Sequence, residues 1–145
     1  MSSAPGGRRP VRGRDVAGRP VPLGSPEAVE PVPEHALPPA QALALARDLL
    51  EAGRPFFAHD VLEAAWKRAP EPERALWQGL AQICVGLTHR QRGNPVGAAR
   101  LLRRGAGLLD GLPSSHDVNT AAVARWAAAA ADDVDAGRDP GAPPL

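Results

Sequence analysis

His59 and Glu63 are the residues of this chain best suited to chemistry. They stand four positions apart in the segment Phe56–Trp66, and on a helix that spacing places the imidazole, the carboxylate and then the indole of Trp66 along one face. A second segment, Trp77–His89, adds three polar side chains at helical spacing: Gln78, Gln82 and His89. These polar groups predict a site between two helices.

Two imidazoles and one carboxylate can bind a divalent metal ion and leave one position open for water, which the metal then activates for hydrolysis. The set that this sequence offers is His59, Glu63 and His89. The alternative is a buried hydrogen-bond network in which Glu63 and the two glutamines satisfy the histidines and orient the helix pair. The spacing lacks the His-Glu-x-x-His pattern of zinc proteases, so the residues alone favour the network.

Proline and glycine mark the elements that must position these groups, because proline suits the first turn of a helix and glycine its end. The pattern predicts five helices, which cover residues 39–52, 55–69, 72–93, 95–111 and about 114–134. We expect Ser114 and Asp117 to cap the fifth helix. No segment shows the sustained alternation of polar and apolar residues that is typical of a strand. The predicted fold is all-α, a compact bundle of about five helices with a central helical hairpin.

The third predicted helix carries no charge from Ala75 to His89, so we expect it to lie at the centre of the core. If it pairs antiparallel with the second helix, Glu63 is level with Leu80 and His59 with Cys84. His59 then faces Gln82, and Glu63 reaches toward either glutamine.

The first 36 residues predict a disordered tail rich in proline, glycine and arginine, because few large apolar residues are present to offset the entropy of folding. The helical domain then covers residues 37–137, and residues 138–145 form a disordered end. The 17 basic and 16 acidic residues of the 145-residue chain nearly cancel, so we expect no specific nucleic acid and no membrane as partner. One cysteine and no apolar leader predict a cytoplasmic protein.

The segment Leu50–Trp66 resembles the signature of a small prokaryotic family, the domain of unknown function 309, known by His-x-x-x-Glu-x-x-Trp. The similarity continues through Gln78–Gln82, His89 and Arg92–Pro95 to Leu102, and covers roughly residues 40 to 110. The resemblance implies a compact helical domain and the label of predicted metal-dependent hydrolase. It assigns polar roles to five residues, with Trp66 beside them: His59, Glu63, Gln78, Gln82 and His89. Asp60 stands where Glu is more usual in the family.

Two functions therefore remain. The first is a metal-dependent hydrolase with one divalent ion on His59, Glu63 and His89, in which Gln82 orients water or an unknown small substrate, and Gln78 and Trp66 support the site. The second is a non-catalytic helical module that binds a protein partner and whose polar residues form a structural network.

Overall fold

Five α-helices form the protein in a computed structural model that describes residues 13–22, 24–33 and 35–145. The helices are α1 (Pro39–Glu51), α2 (Pro55–Arg68), α3 (Arg74–Gln91), α4 (Pro95–Leu109) and α5 (Thr120–Asp135), and a 3-10 turn at Glu71–Glu73 precedes α3. The described strands are a two-residue antiparallel pair, β1 (Gly13–Arg14) and β2 (Pro20–Val21). The prediction of a compact all-α fold is confirmed.

Proline and glycine set most helix limits as predicted. Proline occupies the first turn of α1, α2 and α4, and Gly53 follows α1 with φ of +73°, a conformation that glycine adopts without steric cost. The start of α5 differs from the prediction. Asn119 caps this helix through its Oδ1, which accepts from the Ala122 N–H at 3.0 Å, so the helix begins later than Ser114.

The segment before α5 is a tight turn instead of a helical one. Ser115 and Val118 form an isolated antiparallel bridge, and the two residues between them, His116 and Asp117, have φ of +52° and +63°. Left-handed backbone at a residue with a side chain costs free energy, although Asp tolerates it better than most. The imidazole of His116 offsets part of this cost, because its Nε2 lies 2.8 Å from Glu73 Oε1.

Helix α3 lies at the centre of the bundle, between α2 and α4. Its contact with α4 depends on glycine: a Cβ at Gly79 would lie 2.7 Å from a Leu109 methyl carbon, and one at Gly86 would lie 3.1 Å from the Ala98 carbonyl oxygen. On the α2 side, Gln91 Nε2 donates to the Gly53 carbonyl at 2.8 Å. That bond joins the end of α3 to the loop before α2, which agrees with an antiparallel arrangement of the two helices.

The N-terminal residues that the structure describes form a small hairpin and then run along α2. Asp15 Oδ1 accepts from the N–H groups of Ala17 and Arg19, which shapes the turn between β1 and β2, and Ala17 is buried. This hairpin lies within the segment predicted to be a disordered tail, whose residues 1–12, 23 and 34 lie outside the described residues. The extents of tail, domain and C-terminal end stay predictions.

After α5 the chain crosses the end of α3 without regular structure, and Leu145 reaches α1, where its carbonyl accepts from Arg47 Nε at 2.9 Å. Among the described residues, no helix has both the length and the hydropathy that a membrane crossing requires.

Candidate functional site

His59 lies between two carboxylates on α2. Its Nδ1 is 3.4 Å from Asp60 Oδ1 and its Nε2 is 3.5 Å from Glu63 Oε2. Lys67, one turn farther along, approaches the other Glu63 oxygen at 3.8 Å. The His59 side chain is 20% exposed, against 40% for Asp60 and 42% for Glu63. The imidazole is therefore largely enclosed, while its carboxylate partners meet solvent.

The pKa of His59 is raised above its ordinary value of 6.5. Burial acts to lower the pKa of this imidazole, but the hydrogen bond with Asp60 and the attraction of the Glu63 and Asp60 charges outweigh burial. The two carboxylates thus favour an imidazolium that donates from both ring nitrogens. A metal ligand needs an unprotonated nitrogen, so binding of a metal ion by His59 would release a proton from the imidazolium.

Gln82 shares a face of α3 with two glycines, because Gly79, Gln82 and Gly86 stand at positions i, i+3 and i+7. Both glycines contact α4, and Gln82 lies between them in sequence. Its Oε1 is buried and has no hydrogen-bond donor among the described residues, whereas Gln78 is exposed.

His89 connects α3 to the start of α4. Its Nδ1 lies 3.0 Å from Asn94 Nδ2, and Asn94 Oδ1 accepts from the Gly97 N–H at 3.1 Å to cap α4. Since the cap uses the Asn94 oxygen, the amide nitrogen is the donor to His89, and neutral His89 must carry its proton on Nε2. The second imidazole thus has a structural role that the sequence did not indicate.

The predicted polar residues consequently fall into two sets. His59 and Glu63 belong to α2, whereas His89 bonds to Asn94 at the start of α4 and Gln82 shares a face of α3 with Gly79 and Gly86. Within the described parts of the chain, no three His, Cys, Asp or Glu side chains are grouped so that they could hold a metal ion. His59 instead lies against Asp60 and Glu63, and His89 against Asn94.

Aromatic side chains and arginines flank His59 on α2. Phe56 lies one turn before it, with ring centroids 5.9 Å apart, and the guanidinium carbons of Arg14 and Arg92 lie 5.0 and 5.3 Å from the Phe56 ring centroid. At the other end of the helix, Arg74 lies 5.0 Å from the centroid of the half-buried Trp66. Cation–π attraction of this kind contributes about 0.5–1 kcal/mol at exposed sites.

A shallow groove of about 280 Å³ runs beside the two carboxylates. The segment before α1 supplies one wall and α2 the other; the lining residues are Val32, Pro33, Asp60, Glu63, Ala64 and Lys67. The groove is open to solvent, so water can reach Asp60 and Glu63 directly.

Phe56, Arg92 and Asn94 were not singled out as site residues by the sequence. The Asn94–Pro95 pair did predict a helix cap, but its bond to His89 depends on the turn through Gly93, where φ is +81°. The stacking of Arg14 and Arg92 on Phe56 joins residues that are far apart in sequence, and no local spacing indicates such a contact.

Two comparisons with known proteins return a match. Residues 43–101 match the model of a family described as domain of unknown function (DUF309). Over 48 residues the chain is 42% identical to the uncharacterized protein YpuF of Bacillus subtilis (strain 168), a match that covers 32% of this chain and 28% of that relative. No solved structure matches the chain. The family match and this relative support, for residues 43–101, the resemblance to the domain of unknown function 309.

Proposed function

We propose that this helical domain is a non-catalytic module that binds a helix of another protein along the side of α2 that carries Asp60, Glu63 and Lys67. The observation that supports this proposal is that both imidazoles already have partners within the fold, His59 between Asp60 and Glu63 and His89 on Asn94. His59 thus holds two carboxylates on one side of α2, and His89 fixes the capping residue of α4.

The face that we assign to the partner consists of four residues spaced at i, i+4, i+7 and i+11 on α2, and we call it the outer face: Phe56, Asp60, Glu63 and Lys67. Eleven residues of helix span about 16 Å, which is the length of three turns of a partner helix. Phe56 supplies an apolar anchor at one end and half-buried Trp66 flanks the other. Helix-in-groove recognition uses anchors of this type.

Charge along the outer face selects the partner. The centre carries the carboxylates of Asp60 and Glu63, whereas Arg92 lies at the Phe56 end, and Lys67 and Arg74 lie at the other. A complementary helix has basic residues in the middle and acidic residues at both ends. A second copy of this chain does not fit, since either twofold pairing puts basic ends against basic ends and carboxylates against carboxylates.

The test uses a synthetic helical peptide with glutamates at both ends, lysines at the centre and leucines on its contact face. A second peptide with the charges exchanged is the control. We expect the first peptide to shift the backbone NMR signals of Phe56–Lys67 and the second to bind at least tenfold more weakly. In the Glu63→Lys variant the preference should shrink or reverse. Equal binding of both peptides, or shifts confined to other helices, would refute the proposal.

A metal-dependent hydrolase is the second candidate, supported by the 3.5 Å approach of His59 Nε2 to Glu63 Oε2 beside an open groove. A site with His89 as third ligand requires this histidine to leave Asn94. The test is the metal content of the full chain after exposure to zinc, manganese, iron and nickel, with His59→Ala as control. Near-stoichiometric metal that the variant lacks would support the hydrolase, and no metal in either protein would exclude this ligand set.

A further inference from the structure

We infer that the N-terminal hairpin, residues 13–21, is an autoinhibitory cap that covers Phe56 and must lift before a partner helix can occupy the whole outer face. The inference rests on the proposed function, because it concerns access to the same face. It follows from the contacts of Gly18, Arg14 and Arg92 and from the small size of the hairpin.

Gly18 lies directly against the Phe56 ring. A Cβ at position 18 would lie 2.1 Å from Phe56 Cγ and 2.7 Å from Phe56 Cβ, so the backbone of the hairpin turn contacts the aromatic ring without an intervening side chain. The φ of Gly18 is +81°. Glycine is required here both for the backbone conformation and for the close approach.

Two arginines hold the hairpin over Phe56. Arg14 of β1 lies against the ring, and its Nη1 donates to the Gly18 carbonyl at 2.6 Å. Arg92, from the end of α3, lies against the same ring and donates from Nε to the Ala17 carbonyl at 3.0 Å. The apolar anchor at this end of the outer face is therefore already occupied by the chain's own backbone and by two guanidinium groups.

The attachment of the hairpin is small enough to be reversible. Its two strands have two residues each, and an isolated two-stranded hairpin is marginally stable in water. A further backbone bond links it to the following segment, from the Val29 N–H to the Arg14 carbonyl at 2.9 Å. A partner helix that binds only when Phe56 is exposed finds fewer competent molecules while the hairpin covers this ring. Lifting the hairpin should therefore raise the apparent affinity of that partner.

Two glycines of the N-terminal segment give a matched pair of variants. Gly18 and Gly24 have nearly equal φ, +81° and +83°, but a Cβ at Gly24 has no atom of the described residues within 4 Å. Gly18→Ala and Gly24→Ala therefore impose similar backbone strain, and only the first forces the hairpin away from Phe56. The difference between them isolates the contact that defines the cap.

The first measurement is hydrogen–deuterium exchange on the full chain without any peptide. In Gly18→Ala we expect at least tenfold faster exchange of the Asp15 and Val29 amides, whose acceptors are the Arg19 and Arg14 carbonyls, and unchanged exchange in α3 and α4. Gly24→Ala should resemble the unmodified chain at these two amides. Unchanged exchange in Gly18→Ala would overturn the inference, because the hairpin would not depend on its contact with Phe56.

The second measurement is the affinity of the acid-ended helical peptide for both variants and the unmodified chain. The cap predicts that Gly18→Ala binds at least threefold more tightly than either of the others. Equal affinity for all three would overturn the cap and leave the proposed function standing. Binding to none of them would refute the proposed function, and with it the cap as a regulator of that function.

Discussion

The sharpest prediction concerns two glycines of α4, Gly105 and Gly107. A Cβ at Gly105 would lie 2.7 Å from Ile83 Cγ1, 3.1 Å from the Gly79 carbonyl oxygen and 3.3 Å from the Ile83 nitrogen. A Cβ at Gly107 would have nothing within 4 Å in the part of the chain that the structure describes. Two of the three neighbours of Gly105 are backbone atoms of α3. A change of side-chain rotamer cannot relieve those contacts, so α3 and α4 must separate to admit even one methyl group.

The expected magnitudes follow from this geometry. Replacing glycine by alanine inside a helix contributes up to about 1 kcal/mol of stability, and Gly107→Ala should show most of that gain. At Gly105 the same gain is opposed by an overpacking cost of about 1–3 kcal/mol, at the upper end because backbone is involved. We expect Gly105→Ala to be destabilised by about 1–2 kcal/mol, so that the two variants differ by about 2 kcal/mol or more.

Urea melts and calorimetry on the full chain measure this difference. For a domain of about 100 residues, a difference of 2 kcal/mol corresponds to a separation in Tm of roughly 10 °C. The two substitutions are chemically identical and two residues apart in one helix, so helix propensity cancels in the comparison. Equal stability of the two variants would refute the close contact of α3 with α4, and with it the orientation of Gln82 and His89.

Three further predictions concern individual polar groups. Because the pKa of His59 is raised in the fold, its ion pairs stabilise the protein fully below the ordinary pKa of 6.5 and lose this effect as the pH rises through the folded pKa. In urea melts, the stability of the unmodified chain relative to His59→Gln should fall by about 0.5 kcal/mol between mildly acidic and alkaline pH. A relative stability that rises with pH would contradict the ion pairs of His59. Asn94→Ala should lower the free energy of unfolding by about 1 kcal/mol through the lost helix cap and change the ring ¹⁵N chemical shifts of His89. The matched cap variant Asn119→Ala should lower it by a similar amount and leave the His89 shifts unchanged. Unaltered His89 shifts in Asn94→Ala would exclude the bond between His89 and Asn94. Asp117→Gly should raise Tm, because φ is +63° at this position and glycine adopts it without steric cost. The free energy of unfolding should rise by about 0.5 kcal/mol after the larger entropy of the unfolded glycine chain is subtracted. A Tm below that of the unmodified chain would show that the Asp117 side chain stabilises the turn.

The helices and their order could be predicted because the chain carries a strong local signal at each break. Pro39, Pro55 and Pro95 each stand in the first turn of a helix, and proline restricts the backbone in the same way in almost any tertiary context. The pairing of α2 with α3 could also be predicted, since a short link between helices favours antiparallel neighbours. The two helices are in contact, and Gln91 at the end of α3 bonds to Gly53 just before α2.

Other features depend on contacts that local patterns do not encode. The start of α5 was misplaced because Ser114 and Asp117 have the spacing of a cap, but the chain uses His116 and Asp117 for a turn that the Glu73 carboxylate stabilises from 43 residues away. The N-terminal hairpin could not be predicted from its composition, because its packing depends on Phe56 and Arg92 and its own strands contribute little.

The division of the polar residues into two sets has a physical cause that the sequence does contain. The expectation that His59 faces Gln82 stays a prediction, and it takes the polar positions of α3 as the side turned toward α2. Gly79 and Gly86 lie seven residues apart, with Gln82 between them, and a helix can approach a neighbour most closely where side chains are smallest. The glycine stripe therefore fixes the side of α3 that meets α4, and Gln82 and His89 must turn with it. His59 keeps Asp60 and Glu63 as its partners on α2, whereas His89 bonds to Asn94 at the start of α4.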